Sequence, residues 1–304
     1  MQLRIAVGHH RGDAPNLLTL NQTTFDIMGD LTFGESLNML DGSDYNPWVA
    51  AMFAGLHYGT YLHCIRYYPT LEKALLRLVP KSIMKKKQLH DEFSHLRVDR
   101  RLEKEDARPD IWGLVLERDK EHGLTREEMY ANSNIFMLAG TETTATLLSG
   151  LTYYLLTNPE KLTRLTSEIR EAFTNDSEIT IEKLQTLKYL NARVEEGLRM
   201  YPPVANGLPR IVPWGGTMID GRHVPAGVRL ECERRRWHRS LKLTIAQTIV
   251  FVTNLAAYRN PNNFREPYSF IPERWLSKNE EFAADKKHAL QPFSTGPRVC
   301  LGKK

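Results

Sequence analysis

The stretch that decides the fold is "PFSTGPRVCLGKK", residues Pro292 to Lys304. It places a cysteine in a frame of regularly spaced residues: Phe293, Gly296, Arg298, Cys300 and Gly302. Taken alone, Cys300 would be an inert buried cysteine, because only a thiolate is a good nucleophile or metal ligand. Glycines on both sides let the backbone turn tightly and bring amide groups near the sulfur, which favours a metal ligand.

The charge next to this cysteine indicates what kind of ligand the loop binds. Arg298 is a fixed cation two residues from Cys300 and suits a carboxylate. A planar, anionic, iron-bearing macrocycle would use both residues, and the stretch resembles the haem-binding loop of the cytochrome P-450 family. The resemblance implies that Cys300 is the axial thiolate on the iron of haem b (iron protoporphyrin) and that Arg298 pairs a haem propionate. It places Phe293, Gly296 and Gly302 in the same cofactor-binding loop.

The longest helical signal lies in the middle of the chain. Thr125 and Glu128 have the spacing of a capping box, and the sequence then runs to Pro159 without a proline. Such a helix spans roughly 50 Å, enough to cross a whole domain. Its middle is apolar, so we expect it to be central and buried, with Phe136 forming part of an apolar substrate pocket.

The motif "AGTETT", residues 139–144, lies midway along this helix. Gly140 leaves room for a flat ring, and the hydroxyl of Thr143 is expected to bond the carbonyl of Ala139 and loosen the helix there. The resemblance implies that Glu142 and Thr143 deliver protons during dioxygen activation. The alternative is a patch of small residues against which another helix packs closely.

Two further motifs, "EGLR" and "PERW", precede the cysteine loop. Glu196 and Arg199 are neighbours on a helix, so a surface pair is the simplest interpretation of the first motif. The resemblance instead joins them to Arg274 as a buried ion triad behind the haem. Loss of one partner from a buried pair is costly, so we expect the three to act as a unit.

The stretch "PPVANGLPR", residues 202–210, corresponds by resemblance to a strand on the substrate side of the haem. Val204 and Leu208 are therefore expected to contact substrate, and Arg210 to reach a propionate. The predicted fold class is mainly α with a small β portion, an incomplete cytochrome P-450 fold in a single domain over residues 1–304. A continuous helix is expected from Ile181 to Pro203, followed by short strands and turns.

The resemblance covers roughly Asn21 to Lys304 and points to the fungal secondary-metabolism type, similar to trichothecene-pathway and related terpene or polyketide hydroxylases. It implies a monooxygenase that inserts one oxygen atom of dioxygen into a small lipophilic substrate. NADPH acts only indirectly, through NADPH–cytochrome P-450 reductase as partner. The family is anchored on the cytoplasmic face of the endoplasmic reticulum membrane.

Several departures from the family leave alternatives open. Relative to it, we expect the chain to lack the anchor and first helices, and the helix after the cysteine loop. No run of 18 apolar residues is present, so the chain as given is expected to be cytoplasmic. It could be a non-catalytic remnant, the product of a broken or misread gene that does not hold haem. It could also be a haem-thiolate isomerase or dehydratase, although Glu142 and Thr143 argue against that.

One basic block stands out, "VRLECERRRWHRSLKLTIAQ" at residues 228–247. It has five Arg and one Lys against two Glu, most of the formal net charge of +5. No aromatic platform accompanies it, so we expect no nucleic-acid partner. The family runs almost directly from a "VPAG" segment into a strand like "TIVFV", which predicts that the block is a non-native insertion, a translated intron. The alternative is an exposed basic loop that contacts an acidic reductase surface, because insertions of this length are energetically tolerable.

The intron hypothesis predicts that the mature transcript lacks the sixty nucleotides that encode residues 228–247, three for each residue. Sequencing the transcript across the codons for Gly227 and Thr248 measures this directly. Retention of these nucleotides in most transcripts would show that the block belongs to the protein.

Overall fold

The structure, a computed structural model, describes residues 17–41, 48–49, 52, 55, 61, 65, 69–77, 79–104, 110–118, 123–226, 229–232, 241–244, 248–277 and 279–303. The chain divides into two compact units, Met1–Ser149 and Gly150–Lys304, and the boundary falls within a long helix. Helices dominate and the strands are short, which confirms the predicted fold class.

The first unit is helical throughout its regular structure. Its described helices are α1 (Leu17–Phe33), α2 (Pro69–Leu76), α3 (Lys81–Leu102), α4 (Ile111–Arg118) and the greater part of α5 (Arg126–Leu156). The capping box before α5 is confirmed, because the Thr125 amide donates to Glu128 Oε2 at 2.8 Å and the Glu128 amide donates to Thr125 Oγ1 at 3.3 Å. Because both unpaired amides at the helix start are satisfied, α5 begins where the sequence predicts.

A buried ion pair and a buried tryptophan organise the first unit. Arg101 at the end of α3 forms a bidentate pair with Asp110, which also accepts the amide of Gly113 at 2.6 Å in the first turn of α4. Fully buried Trp112 donates its indole N–H to Ser133 of α5 at 3.1 Å. These side chains therefore link α3, α4 and α5 through satisfied polar groups.

The second unit contains α6 (Pro159–Ala172), α7 (Ile181–Thr186), α8 (Lys188–Met200) and α9 (Asn254–Tyr258). The continuous helix predicted from Ile181 to Pro203 is wrong, because the chain is extended at Leu187 with φ −75° and ψ 103°. The cause is Glu168 on α6, whose two carboxylate oxygens accept the amides of Tyr189 and Leu190, each at 2.8 Å. A side chain distant in sequence thus caps α8 and starts a new helix.

The described strands form antiparallel pairs, as the Gly- and Pro-rich sequence predicts. The pairs are β1 (Arg210–Ile211) with β6 (Ile249–Val250), β2 (Thr217–Ile219) with β3 (Arg222–Val224), and β4 (Arg229–Cys232) with β5 (Leu241–Thr244). Asp220 and Gly221 join β2 to β3 with positive φ values of 50° and 71°. Positive φ at both central residues is typical of the tightest hairpin turns.

The basic block contains both β4 and β5, which pair with each other. The rest of the block, including "ERRRWHR", lies outside the described residues. The register sets Arg229 opposite Thr244, so the two ends of the hairpin lie close together. A segment inserted into a chain must begin and end at nearby points, as this hairpin does. The origin of the block as a translated intron stays a prediction.

The cap on α8 leads to a stability prediction. Glu168→Ala should lower the free energy of unfolding by about 1–2 kcal/mol, because two amides lose their acceptor. Chemical denaturation measures the change, and Glu171→Ala on the exposed side of α6 is the matched control. A loss in Glu168→Ala no larger than that of the control would contradict the role of this cap.

Candidate active site

The structure brings Glu196, Arg199 and Arg274 together. Glu196 and Arg199 lie one turn apart on α8, Arg274 belongs to the 3₁₀ turn Pro272–Trp275, and all three are fully buried. Arg199 donates to both carboxylate oxygens of Glu196, Nη2 to Oε1 at 2.8 Å and Nε to Oε2 at 2.9 Å. The Nε of Arg274 lies 3.2 Å from the same carboxylate.

Further donors and acceptors complete this network. Glu196 also accepts the amide of Ile271 at 2.7 Å and the indole N–H of Trp275 at 2.9 Å, and Arg274 forms an ion pair with Asp285. Arg199 in turn donates to backbone carbonyls along residues 258–269. The sequence assigned no role to Trp275 or Asp285, because no local spacing relates them to Glu196.

The cysteine loop is closed by its own backbone. The amide of Cys300 donates to the carbonyl of Phe293 at 2.8 Å, and Ser294 and Gly296 have φ values of +61° and +74°. The tight turn expected at Gly296 is therefore present. The thiol of Cys300 is free and exposed, and a Cβ added at Gly302 would lie at an ordinary 3.8 Å from its sulfur. The backbone thus presents the thiol rather than burying it.

A cleft beside the loop brings several predicted residues together. Val204, Leu208 and Arg210 line a space of about 450 Å³ with the first residues of the cysteine loop. Arg210 and Arg298 share a second cleft of about 530 Å³, and Arg210 Nη2 lies 3.4 Å from Ser294 Oγ. Among the residues that the structure describes, neither guanidinium has an acidic partner. Two cations therefore flank the loop that presents Cys300.

The polar residues of α5 lie in the first unit. Thr143 Oγ1 donates to the carbonyl of Ala139 at 2.6 Å, the bond that the sequence predicts. Glu142 Oε2 is buried and finds no hydrogen-bond partner in the described part of the chain. Burial raises the pKa of Glu142, because the charged form loses hydration without gaining a donor.

Two other predicted residues of α5 are packed within the first unit. A Cβ added at Gly140 would lie only 2.5 Å from Cε of Met28 on α1, so the flexible Met28 side chain lies beside this glycine. The ring of Phe136 packs against Trp112 with centroids 5.8 Å apart. A contact of Gly140 with haem and of Phe136 with substrate stay predictions.

Comparison with known proteins identifies the family. The cytochrome P450 family model matches residues 10–242 and 245–304. The chain belongs to the cytochrome P450 family. It is 46% identical over 286 residues to cytochrome P450 monooxygenase efuB of Hormonema carpetanum, and 48% identical over 282 residues to cytochrome P450 monooxygenase FUM2 of Gibberella moniliformis. These relatives confirm the resemblance to P450 enzymes of the fungal secondary-metabolism type.

These matches cover nearly all of this chain but only part of each relative. Each covers 93% of this chain but only 53% of efuB and 56% of FUM2, so this P450 chain spans about half the length of the curated relatives. A crystal structure of the cytochrome P450DA heme domain matches with a TM-score of 0.73 at 20% identity, over 96% of this chain and 58% of the other. That likeness establishes the fold alone. No described helix has both the length and the apolarity needed to cross a membrane.

The described residues fit the haem group on which the P450 family depends. A haem carries two carboxylates, and Arg210 and Arg298 are two cations lining one cleft. An axial thiolate must come from an accessible sulfur, and Cys300 is accessible. The donor set of the second unit therefore suits this P450 cofactor.

One further arginine of this P450 chain, Arg193, could not be identified as unusual from the sequence. Arg193 on α8 is fully buried, and none of its three nitrogens has a hydrogen-bond partner within the described ranges. It stacks 4.2 Å from the ring centroid of Tyr189, which Arg164 approaches at 3.9 Å. The Tyr189 hydroxyl donates to Glu273 at 2.8 Å and also interacts electrostatically with Arg193. Stacking and this one interaction do not fully replace the hydration that Arg193 loses, so Arg193 should destabilise the fold.

We predict that Arg193→Met raises the free energy of unfolding by about 1–3 kcal/mol, since it removes an unsatisfied buried group and retains its volume. Arg199→Met is the matched control and should lower it by about 3–5 kcal/mol, because Glu196 is left buried without its main partner. Denaturant titration measures both. If Arg193→Met destabilises the protein as much as Arg199→Met does, the prediction is wrong and Arg193 is held by a partner outside the described residues.

Proposed function

We propose that the protein is a haem-thiolate monooxygenase in which Cys300 would bind the haem iron as a thiolate. The observation that carries this proposal is the exposed Cys300 thiol on a closed loop, with Arg210 and Arg298 in the adjoining cleft and without acidic partners in the described ranges. Family membership supports it, as do relatives that are named cytochrome P450 monooxygenases.

Each residue of the cysteine loop has a defined task in this proposal. When bound, haem supplies the activation of dioxygen, of which one atom enters the substrate and the other leaves as water. Cys300 provides the thiolate, while Arg210 and Arg298 hold the two propionates. Gly296 permits the turn, and the Phe293 carbonyl fixes the amide of Cys300. The loop thus orients the sulfur without burying it.

Proton delivery is assigned to Glu142 and Thr143 of α5. A raised pKa means that Glu142 keeps its proton to a higher pH than an ordinary glutamic acid, so Oε2 can hold a proton for delivery. The hydroxyl of Thr143 donates to Ala139, which leaves its oxygen lone pairs directed away from the helix backbone. These two side chains would hold and move a proton at Oε2 and Oγ1.

The substrate proposed is a small lipophilic secondary metabolite, a terpene or polyketide. Val204 and Leu208 would contact it from the cleft of the second unit. Phe136 is a further substrate contact that rests on the family resemblance alone. Electrons would come from NADPH through NADPH–cytochrome P450 reductase, at the cytoplasmic face of the endoplasmic reticulum. Membership of the P450 family supports a reductase partner and a lipophilic substrate, and the finer assignments rest on the resemblance.

The decisive experiment uses the haem-loaded, reduced protein under carbon monoxide. We expect a thiolate-type absorption band that disappears in Cys300→His, because imidazole replaces the anionic sulfur. Cys232→Ser, in β4, is the matched control and should keep the band. An unchanged band in Cys300→His, or no thiolate-type band in the unmodified protein, would overturn the proposal.

A further inference from the structure

Tyr258 joins the buried ion triad to the cysteine loop through both of its oxygen atoms. It ends α9 and is 1% exposed. Its backbone carbonyl accepts a hydrogen bond from Arg199 Nη1 at 3.0 Å. Its hydroxyl oxygen accepts the amide of Gln291 at 3.1 Å, one residue before the loop begins. One buried residue therefore spans the distance between the triad and the loop.

Backbone hydrogen bonds connect Gln291 to Cys300. Its carbonyl accepts the amide of Ser294 at 3.1 Å, which closes the first turn of the loop. The carbonyl of Phe293 then accepts the amide of Cys300 at 2.8 Å. A continuous series of hydrogen bonds thus runs from Glu196 through Arg199, Tyr258 and the loop backbone to Cys300.

A purely structural role for Tyr258 would depend on its ring alone. The ring packs in a buried cluster with Phe264 and Leu290, and phenylalanine would fill the same space. The Tyr258 hydroxyl, however, accepts a hydrogen bond from one backbone amide, that of Gln291, at a part-buried position. Buried tyrosine hydroxyls are held by such bonds, and burial raises the pKa of Tyr258, so the hydroxyl stays neutral.

We propose that the Tyr258 hydroxyl is the positioning group for the cysteine loop, holding Gln291 so that Cys300 stands where its thiolate is needed. This inference rests on the proposed function in taking Cys300 as the haem ligand. The effect is exerted through the backbone of residues 291–294, not through contact with the sulfur.

The test compares Tyr258→Phe with Tyr189→Phe by hydrogen–deuterium exchange of the haem-free chain. Tyr189 is the matched control, because it is 3% exposed and its hydroxyl donates a hydrogen bond to Glu273. Tyr258→Phe keeps the ring contacts, so we expect native circular dichroism. Exchange in peptides covering residues 288–299 should then quicken about threefold to tenfold, the equivalent of one hydrogen bond. Tyr189→Phe should leave these peptides unchanged.

A second measurement follows the sulfur itself. In haem-loaded Tyr258→Phe under carbon monoxide, we expect a larger share of protein without the thiolate-type band, and no such change in Tyr189→Phe. Equal exchange of the loop peptides in both variants would overturn the inference. It would also be overturned if the fraction of Tyr258→Phe that shows the thiolate-type band were as high as in the unmodified protein. If the unmodified protein shows no thiolate-type band, the proposed function fails while the exchange comparison still decides the role of Tyr258.

Discussion

The carboxylate of Glu196 is the group around which the second unit is built. It is fully buried and accepts five hydrogen bonds, two from Arg199 and one each from Arg274, the amide of Ile271 and the indole of Trp275. Burying a charge is costly, and partners with such geometry offset that cost. Helix α8 and the turn Pro272–Trp275 are therefore fixed relative to each other by a single side chain.

The hydrogen-bond network of Glu196 contributes more to positioning the chain than to stabilising the fold. Well-packed apolar residues often replace a buried ion pair without loss of stability, whereas loss of one partner is severe. Arg199 extends the geometry by donating to the carbonyls of Tyr258, Pro267 and Ser269, a segment otherwise made of turns. A segment without long helices or strands thus acquires a defined path.

The features that the sequence predicted are local ones or ones fixed by motif spacing. The capping box of Thr125 and Glu128 and the bond from Thr143 to Ala139 each join residues three or four apart. Glu196, Arg199 and Arg274 could be named together only because family resemblance supplied their pairing. Spacing alone left Glu196 and Arg199 as a surface pair, because it contains no information on burial.

What the sequence could not predict depends on contacts between distant segments. Helix α8 starts at Lys188 because Glu168 reaches it from α6, and no periodicity near residue 187 signals this. The sequence pointed to no role for Arg193, yet it is fully buried and stacked on Tyr189. In each case tertiary packing decided the outcome.

Glu142 and Glu196 show how the surroundings, not the residue type, set the chemistry. Both are helical glutamates, but fully buried Glu196 accepts five hydrogen bonds whereas the buried Oε2 of Glu142 has no donor among the described residues. A carboxylate surrounded by guanidinium and amide donors is committed to holding its neighbours in place. A carboxyl group without donors favours its neutral form, as the raised pKa of Glu142 indicates. The carboxylate of Glu196 therefore serves the architecture of the second unit, whereas the surroundings of Glu142 favour a protonated side chain.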